Sequence, residues 1–206
     1  KTVEYLDRLM EGGSLSRAEA EPASEFFYQI ALTHKNLHLF DEGIRYSRRS
    51  IEISRSLRNS ASRVSLGLSM LADLYRLTGE PERALHTIRE AQSALQQANF
   101  PGEAARCSAR ITLLWREAKI LGGADGLSLN RPAEAIAVLQ EAFDVTEEWA
   151  RDDPEGSWSR LYFASLGREL GELLRLRNPQ KALAIYDQAL LRLHEIRDNP
   201  EARRGE

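Results

Sequence analysis

A helical hairpin pattern that occurs three times is the sequence feature that most constrains the fold. Its clearest copy lies at residues 75–91, where one helix ends at a turn around Gly79 and a second helix follows. In the second helix Ala84, Ile88 and Ala91 are spaced by four and three residues, so they share one helical face. The pattern returns as RPAEAIAVLQEAF at residues 131–143 and as NPQKALAIYDQAL at residues 178–190. A repeat of this kind predicts an all-α protein built from stacked helical hairpins.

Small residues recur at two positions of the second helix when the hairpins are aligned. The first position holds Gly43, Ala84, Ala135 and Ala182, and seven residues later stand Ser50, Ala91, Ala142 and Ala189. Small side chains at fixed spacing let neighbouring helices approach closely, which a stacked array requires. Proline precedes the first position in three copies and favours a first helical turn there, at Pro81, Pro132 and Pro179. Asn178 and Ser60 are predicted to cap the helices that follow them.

Turn residues divide the chain into about nine predicted helices with no strand signal. A first helix runs to about Met10, and a longer one begins near Ala18 with Pro22 in its first turn. Four hairpins are predicted at about residues 23–58, 60–99, 102–152 and 157–197. The third hairpin contains a glycine-rich loop at 122–130 that is much longer than the other turns. We expect all 206 residues to form one domain.

This arrangement resembles the tetratricopeptide repeat (TPR), and the resemblance covers about residues 23–193. The second hairpin shows it most completely, with the family spacing kept at Leu71, Ala72, Tyr75, Gly79, Ala84, Ile88 and Ala91. The first hairpin departs from the pattern at His34 and Gly43, and the copies are spaced more widely than the usual roughly 34 residues. The resemblance implies a right-handed superhelix, or solenoid, of antiparallel hairpins. Another class of helical-hairpin solenoid is the alternative.

In TPR proteins the first helix of each hairpin lines a concave groove in which extended peptides often bind. Carried over by position, the groove of this chain would include Tyr28, Gln29, Leu32, Lys35, Ser69, Met70, Asp73, Arg76, Arg168, Glu172 and Arg175. Lys35, Arg76 and Arg175 fall at one equivalent position and predict a basic ladder for an acidic ligand. The predicted partner-binding residues are Tyr28, Lys35, Asp73, Arg76, Arg168 and Arg175. The Lys/Asn pattern with which some TPRs bind a C-terminal carboxylate is absent, so binding of chaperone tails is not expected.

Opposite charges are concentrated in two stretches of a chain whose formal net charge is −3. Residues 45–63 contain six arginines against Glu52 alone, and residues 141–155 contain seven acids against Arg151 alone. A solvated outer face explains both stretches most simply. Alternatively, they dock onto each other in neighbouring molecules or onto a charged partner, which high salt would weaken. Net acidity and the shortage of stacking aromatics beside the arginines argue against nucleic acid as the partner.

The sequence carries no recognisable motif for catalysis, metal binding or cofactor binding. His34 and His38 are four residues apart, a spacing that can bind a metal, but Lys35 stands where a zinc-protease helix carries glutamate. Two ordinary helix histidines are the simpler interpretation. Cys107 is the only cysteine and is expected to fill a small apolar packing role. We therefore expect no cofactor and no enzymatic activity in this chain.

The expected location is the cytoplasm, since the lone cysteine suits a reducing compartment and no apolar run approaches the roughly 20 residues that span a bilayer. The chain opens at Lys1 within a helical pattern and closes shortly after Pro200, which suggests a fragment of a longer protein. The opening TVEYLDRL followed by a TPR-like array is similar to the C-terminal halves of some bacterial eukaryotic-like serine/threonine kinases. None of the kinase motifs is present, so this similarity would place catalysis in another domain.

The leading hypothesis is a non-catalytic interaction scaffold that binds a peptide or partner domain in the concave groove. The alternative is a regulatory or sensor segment of a bacterial signalling protein, with a kinase or DNA-binding domain outside this chain. Nucleic-acid binding through residues 45–63 ranks last.

Overall fold

The computed structural model describes residues 15–123, 127–153 and 156–198. Eight helices and no strand lie in these ranges, which confirms the all-α prediction. They are α1 (Arg17–Asn36), α2 (Phe40–Ser56), α3 (Ala61–Leu77), α4 (Pro81–Gln96), α5 (Glu103–Gly122), α6 (Pro132–Asp152), α7 (Ser157–Leu174) and α8 (Pro179–Asp198). The further helix predicted to run to about Met10 lies outside the described residues.

The helices form two compact units, each of which contains two hairpins. The first unit is Lys1–Asn99 with α1 to α4, and the second unit is Phe100–Glu206 with α5 to α8. Within each unit, helices that follow one another in sequence pack together. The first helices of the two hairpins also touch, α1 with α3 and α5 with α7. The hairpins of each unit are therefore stacked in sequence order.

The two helices of a hairpin run antiparallel. In the second unit Gly167 on α7 faces Ala189 on α8. One turn later on α7, Gly171 faces Tyr186, which lies earlier on α8. In the first unit the pairs Ser24–Ser50 and Ala31–Gly43 show the same reversal between α1 and α2. The predicted hairpin geometry is therefore present in both units.

The small residues of the repeat lie where helices meet, which confirms their predicted packing role. All eight residues at the two aligned positions are buried. In the second unit, a Cβ atom at Gly171 would overlap the ring of Tyr186. A Cβ atom at Gly122 would lie 2.9 Å from the Cβ atom of Ala135. Larger side chains at these points would push the paired helices apart, because a close-packed interface has no room for them.

Proline and asparagine mark the helix starts as predicted, and Ser60 occupies the N-cap position of α3 but makes no side-chain cap hydrogen bond. Pro81, Pro132 and Pro179 are the first residues of α4, α6 and α8. The Asn178 side-chain oxygen accepts a hydrogen bond from the Lys181 amide at 3.1 Å, so it caps α8. The predicted Ser60 cap is wrong, because its hydroxyl donates instead to the carbonyl of Leu57 at 3.0 Å.

The position of Pro22 within α1 differs from the prediction. The helix begins at Arg17, so Pro22 lies inside it rather than in its first turn. Ser16 and Glu19 fix this start through a capping box, in which the Glu19 carboxylate accepts from the Ser16 amide at 3.0 Å. Hydrogen bonds from the Ser16 hydroxyl and then from the Ser16 amide lower the pKa of the Glu19 carboxyl. The capping box stabilises the helix end and offsets the one backbone hydrogen bond that Pro22 removes.

Each unit has its own core. In the second unit Phe143 of α6 and Phe163 of α7 pack with ring centroids 4.1 Å apart, among buried side chains of α5 to α8. In the first unit Leu74 and Ile88 are fully buried between α3 and its neighbours. The α1–α2 contact is partly polar: the hydroxyl of Ser24 lies 2.6 Å from that of Ser54. A polar contact of this kind fixes the register of two helices as well as holding them together.

The turn at Gly79 is expected to require glycine. Gly79 has φ +79°, and the Glu80 amide after it donates to the Tyr75 carbonyl at 2.8 Å. Gly79→Ala should lower the free energy of unfolding by about 1 kcal/mol, because a Cβ atom is strained in the left-handed region. Gly79→Asn is the matched control: asparagine visits the left-handed region readily, and a Cβ atom added at Gly79 would meet no atom beyond its chain neighbours within 4 Å. Equal stabilities of the two variants in urea denaturation, followed by far-UV circular dichroism, would contradict this account.

Candidate functional site

The α1/α3 face of the first unit, where the first helices of two hairpins lie side by side, carries four of the predicted binding residues. Lys35 of α1 and Asp73 of α3 form an ion pair across the helices, with 2.9 Å between Nζ and Oδ2. The other carboxylate oxygen of Asp73 lies 3.4 Å from Nη2 of Arg76. The structure therefore brings Lys35, Asp73 and Arg76 into one charge network. Tyr28 is half-buried on α1.

Burial changes what the predicted basic ladder can present to a ligand. Arg76 is only 6% exposed, so its guanidinium lies below the surface beside Asp73. Two further groove positions, Ser69 and Met70, are buried as well, because they face into the contacts of α3 with its neighbours. Lys35 keeps partial exposure, although its charge is offset by Asp73. On this face an incoming acidic group would have to compete with the Asp73 carboxylate.

The second unit contains the two remaining predicted binding residues, Arg168 and Arg175, on α7 and at its C-terminal end. Both are exposed, and each is paired with a nearby glutamate of α7: Arg168 with Glu169 at 2.7 Å and Arg175 with Glu172 at 3.0 Å. Exposed pairs of this kind are weak and can exchange partners readily. Glu172 also accepts from the hydroxyl of Tyr186 at 3.1 Å. Burial of Tyr186, together with this hydrogen bond, raises the pKa of its hydroxyl.

The arginines of residues 45–63 differ sharply in how they are paired. Arg49 forms an ion pair with Glu52 at 2.8 Å, and Arg63 pairs with Glu21. Arg48 donates from Nε and Nη2 to the hydroxyl of Tyr75, at 3.2 and 2.9 Å. Arg45, Arg48, Arg55 and Arg58 make no ion pair within the described part of the chain. Most of the predicted positive charge of this stretch is therefore uncompensated.

The acidic stretch is partly neutralised inside the second unit. Glu141 pairs with Arg110 at 2.8 Å, and Glu147 pairs with Arg192 at 2.6 Å. The side chain of Asp144 accepts a hydrogen bond from Gln140 at 3.0 Å. The charge that this stretch offers to a partner is therefore smaller than its sequence predicts.

A cleft of about 390 Å³ lies on the side of the first unit where α2 and α4 flank α3. Its walls are formed by α2 and α4, and its floor by Ile51 of α2 together with Leu68, Leu71 and Tyr75 of α3. The sequence analysis predicted a binding groove along the first helices and missed this cleft. The available signal was the spacing of Arg48 and Arg55, which are seven residues apart and so lie on one face of α2.

The histidines and the cysteine have ordinary packing contacts. His34 Nδ1 lies 2.8 Å from the carbonyl oxygen of Ile30, and its ring packs on Tyr46. His38 follows the end of α1 with φ +59°, so the expectation that both histidines share a helix is wrong. No group of three or more His, Cys, Asp or Glu side chains in the described residues could hold a metal ion. Cys107 is half-buried against the core of the second unit, and this burial raises the pKa of its thiol.

Neither the hydropathy of the described helices nor the comparison with known proteins indicates a function. Among the described helices, none is both long enough and apolar enough to cross a bilayer. No protein-family model matches the chain, and no curated protein shows significant sequence similarity to it.

Proposed function

We propose that this chain is a TPR-like, non-catalytic interaction scaffold that binds a peptide or partner domain along the first helices of its hairpins. The observation that carries the proposal is that different residues of the hairpins serve packing and face the solvent. The small repeat residues are buried in helix contacts, whereas the α1/α3 face retains partly exposed polar and charged side chains. In the proposal the hairpins continue into a right-handed superhelix, and its concave side is the binding groove.

Recognition would combine apolar contacts with charge-assisted hydrogen bonds. Tyr28 supplies a partly exposed aromatic surface in the first unit. Arg168 and Arg175 supply exposed guanidinium groups in the second unit, where they can leave their glutamate partners for a ligand carboxylate. Lys35 contributes a charge held in place by Asp73.

Selection of phage-displayed random peptides on the whole chain tests this proposal. The structure favours Lys35→Gln with Arg175→Gln as the test variant, since Arg76 is too buried for a surface substitution. We expect selected peptides to be enriched in acidic residues and to lose most of their affinity for this variant. Arg177→Gln, at an exposed turn position, is the matched control and should retain binding.

Failure to select any peptide, or full binding to the Lys35→Gln, Arg175→Gln variant, would contradict a role for the concave groove. Circular dichroism spectra of the three proteins should superimpose, since Lys35 is partly exposed, Arg175 is exposed, and glutamine is tolerated at such helical positions.

A further inference from the structure

The α2–α4 cleft, lined by residues of α2, α3 and α4, has an apolar floor and a charged rim. The floor consists of Ile51, Leu68, Leu71 and Tyr75. The rim contains Arg48, Glu52 and Arg55 from α2 with Arg83, His86, Thr87 and Glu90 from α4. Protein sites that orient a ligand commonly combine an apolar surface with a few well-placed polar groups. The cleft has this composition.

Tyr75 holds two of the rim arginines in position. Its hydroxyl accepts hydrogen bonds from Nε and Nη2 of Arg48, and the guanidinium of Arg83 lies 4.1 Å from its ring centroid. Arg83 is also paired with Glu80 at 2.9 Å. Arg48 contacts a phenol hydroxyl rather than a carboxylate, so its charge is oriented without being neutralised. A preorganised guanidinium loses less conformational entropy when it binds an anion.

The arginine column, which we define as Arg45, Arg48 and Arg55, extends the positive surface along α2. These residues share one helical face and make no ion pair in the described part of the first unit. Glu52 lies on the same face, but its carboxylate is engaged by Arg49 at 2.8 Å. A second depression of about 230 Å³ lies beside Arg45, Arg48 and Arg49. The guanidinium groups of the column, which make no ion pair in the described residues, therefore lie along one face of α2, where an anion can reach them.

The spacing of the column indicates the form of the ligand. Arg48 and Arg55 are seven residues apart, which corresponds to roughly 10 Å along a helix axis. A peptide in the extended polyproline II conformation advances about 3.1 Å per residue with three residues per turn, so acidic side chains three positions apart point the same way and lie roughly 9 Å apart, close to this distance. An apolar side chain between them would lie over the floor at Ile51 and Leu71.

A peptide fits the cleft better than a nucleic acid. Among the described residues that line the cleft, Tyr75 is the only Phe, Tyr or Trp, and it is buried, so it gives no exposed ring for base stacking. Glu52 and Glu90 on the rim would repel a continuous phosphate backbone. Two separate carboxylates can each pair with one arginine, Arg48 or Arg55, whereas a continuous phosphate backbone would also have to pass Glu52, which lies between them on α2.

We propose that the α2–α4 cleft binds a short extended peptide with two carboxylates three residues apart and an apolar side chain between them. This inference rests on the proposed interaction function. It adds a second binding surface on α2 and α4, the second helices of the two hairpins, separate from the concave groove along the first helices. Arg48 and Arg55 bind the two carboxylates, Arg83 adds positive charge from α4, and Tyr75 is a positioning residue for Arg48.

Fluorescence anisotropy with a labelled peptide tests the cleft directly. The probe is fluorescein-Gly-Ser-Glu-Leu-Ser-Glu-Leu-Ser-Gly, and one comparison peptide has Gln in place of both Glu residues. Another has the same composition with the two Glu residues adjacent. We expect the probe to bind more tightly than both comparison peptides by about fivefold or more, since charge-assisted bonds are lost or misplaced. Binding should weaken steadily between about 50 and 500 mM NaCl.

Arg55→Glu is the decisive variant, because Arg55 is exposed and makes no ion pair in the described residues. It should weaken binding of the probe by about fivefold or more. Arg58→Glu is the matched control: it changes the net charge equally but lies outside the cleft lining, so its effect should stay below about twofold. Tyr75→Phe should produce a smaller loss than Arg55→Glu, because it keeps the ring and removes only the group that orients Arg48.

Equal binding of the probe by the wild-type chain and Arg55→Glu would overturn the proposal. The proposal would also be overturned if a fluorescein-labelled ten-nucleotide poly-U bound more tightly than the peptide probe and lost affinity in Arg55→Glu. In that case the ligand of the arginine column would be a nucleic acid. Sedimentation velocity could also show self-association that high salt weakens and Arg55→Glu abolishes. The arginine column would then bind a second copy of the chain, and the peptide proposal would be overturned. No binding of the probe to the wild-type chain, together with phage-selected peptides that depend on Lys35 and Arg175, would overturn the cleft and leave the proposed function intact.

Discussion

Replacement of Phe163 by alanine is expected to lower the free energy of unfolding of the second unit by about 3–5 kcal/mol. Phe163 is 1% exposed and lies where helices of both hairpins meet. Its ring centroid is 4.1 Å from that of Phe143, and the guanidinium of Arg192 lies 5.6 Å from the ring centroid. Alanine would remove the ring and leave a cavity between helices that are held apart by their other contacts. The loss therefore combines transfer of the ring with incomplete collapse of the site.

Urea denaturation, monitored by tryptophan fluorescence, measures this effect within the second unit. All three tryptophans, Trp115, Trp149 and Trp158, belong to the second unit. Leu161→Ala is the matched control on the same helix, since Leu161 is 37% exposed and should cost less than about 1 kcal/mol. A loss for Phe163→Ala no larger than that for Leu161→Ala would mean that the ring is not part of a close-packed core.

The packing of hairpins was predictable because it depends on local sequence patterns. Small residues at fixed spacing, such as Ala84 and Ala91, are required wherever helices approach closely, so they mark the contact face without any tertiary information. Proline at a helix start acts through its own backbone, which explains why Pro132 located α6 correctly. The Ser16–Glu19 capping box is equally local. Its spacing could have shown from the sequence that Pro22 lies beyond the first turn of α1.

The exposure of the predicted binding residues could not be predicted from local sequence patterns. Arg76 falls at the same repeat position as Lys35, yet it is buried, because Asp73 and the contacts of α3 draw it below the surface. Its environment depends on the distance between hairpins, which no sequence pattern specifies. The α2–α4 cleft likewise requires three helices to be placed together. The helix end before His38 was missed since a left-handed residue other than glycine gives a weak sequence signal.

Asp73→Ala is expected to lower the local stability of the first unit by about 2–3 kcal/mol, below the full cost of breaking a deeply buried ion pair. Asp73 contacts both Lys35 and Arg76, so one substitution removes a carboxylate from two partly buried cations. Lys35→Met is the matched comparison, because it deletes one cation and leaves Asp73 beside Arg76. Its cost should be about 0.5–1 kcal/mol, the contribution of one solvent-accessible ion pair.

Hydrogen exchange measured by mass spectrometry on peptides from α3 reports this difference within the first unit. Faster exchange in Asp73→Ala than in Lys35→Met would show that one carboxylate organises both cations across the α1/α3 face. Equal exchange in the two variants would mean that the Lys35–Asp73 pair alone matters and that Arg76 is held by its other contacts. The comparison bears on function as well. In Asp73→Ala, a ligand carboxylate that binds beside Lys35 and Arg76 in place of the missing Asp73 carboxylate would recover part of the lost stability, whereas it could add little to the wild-type network.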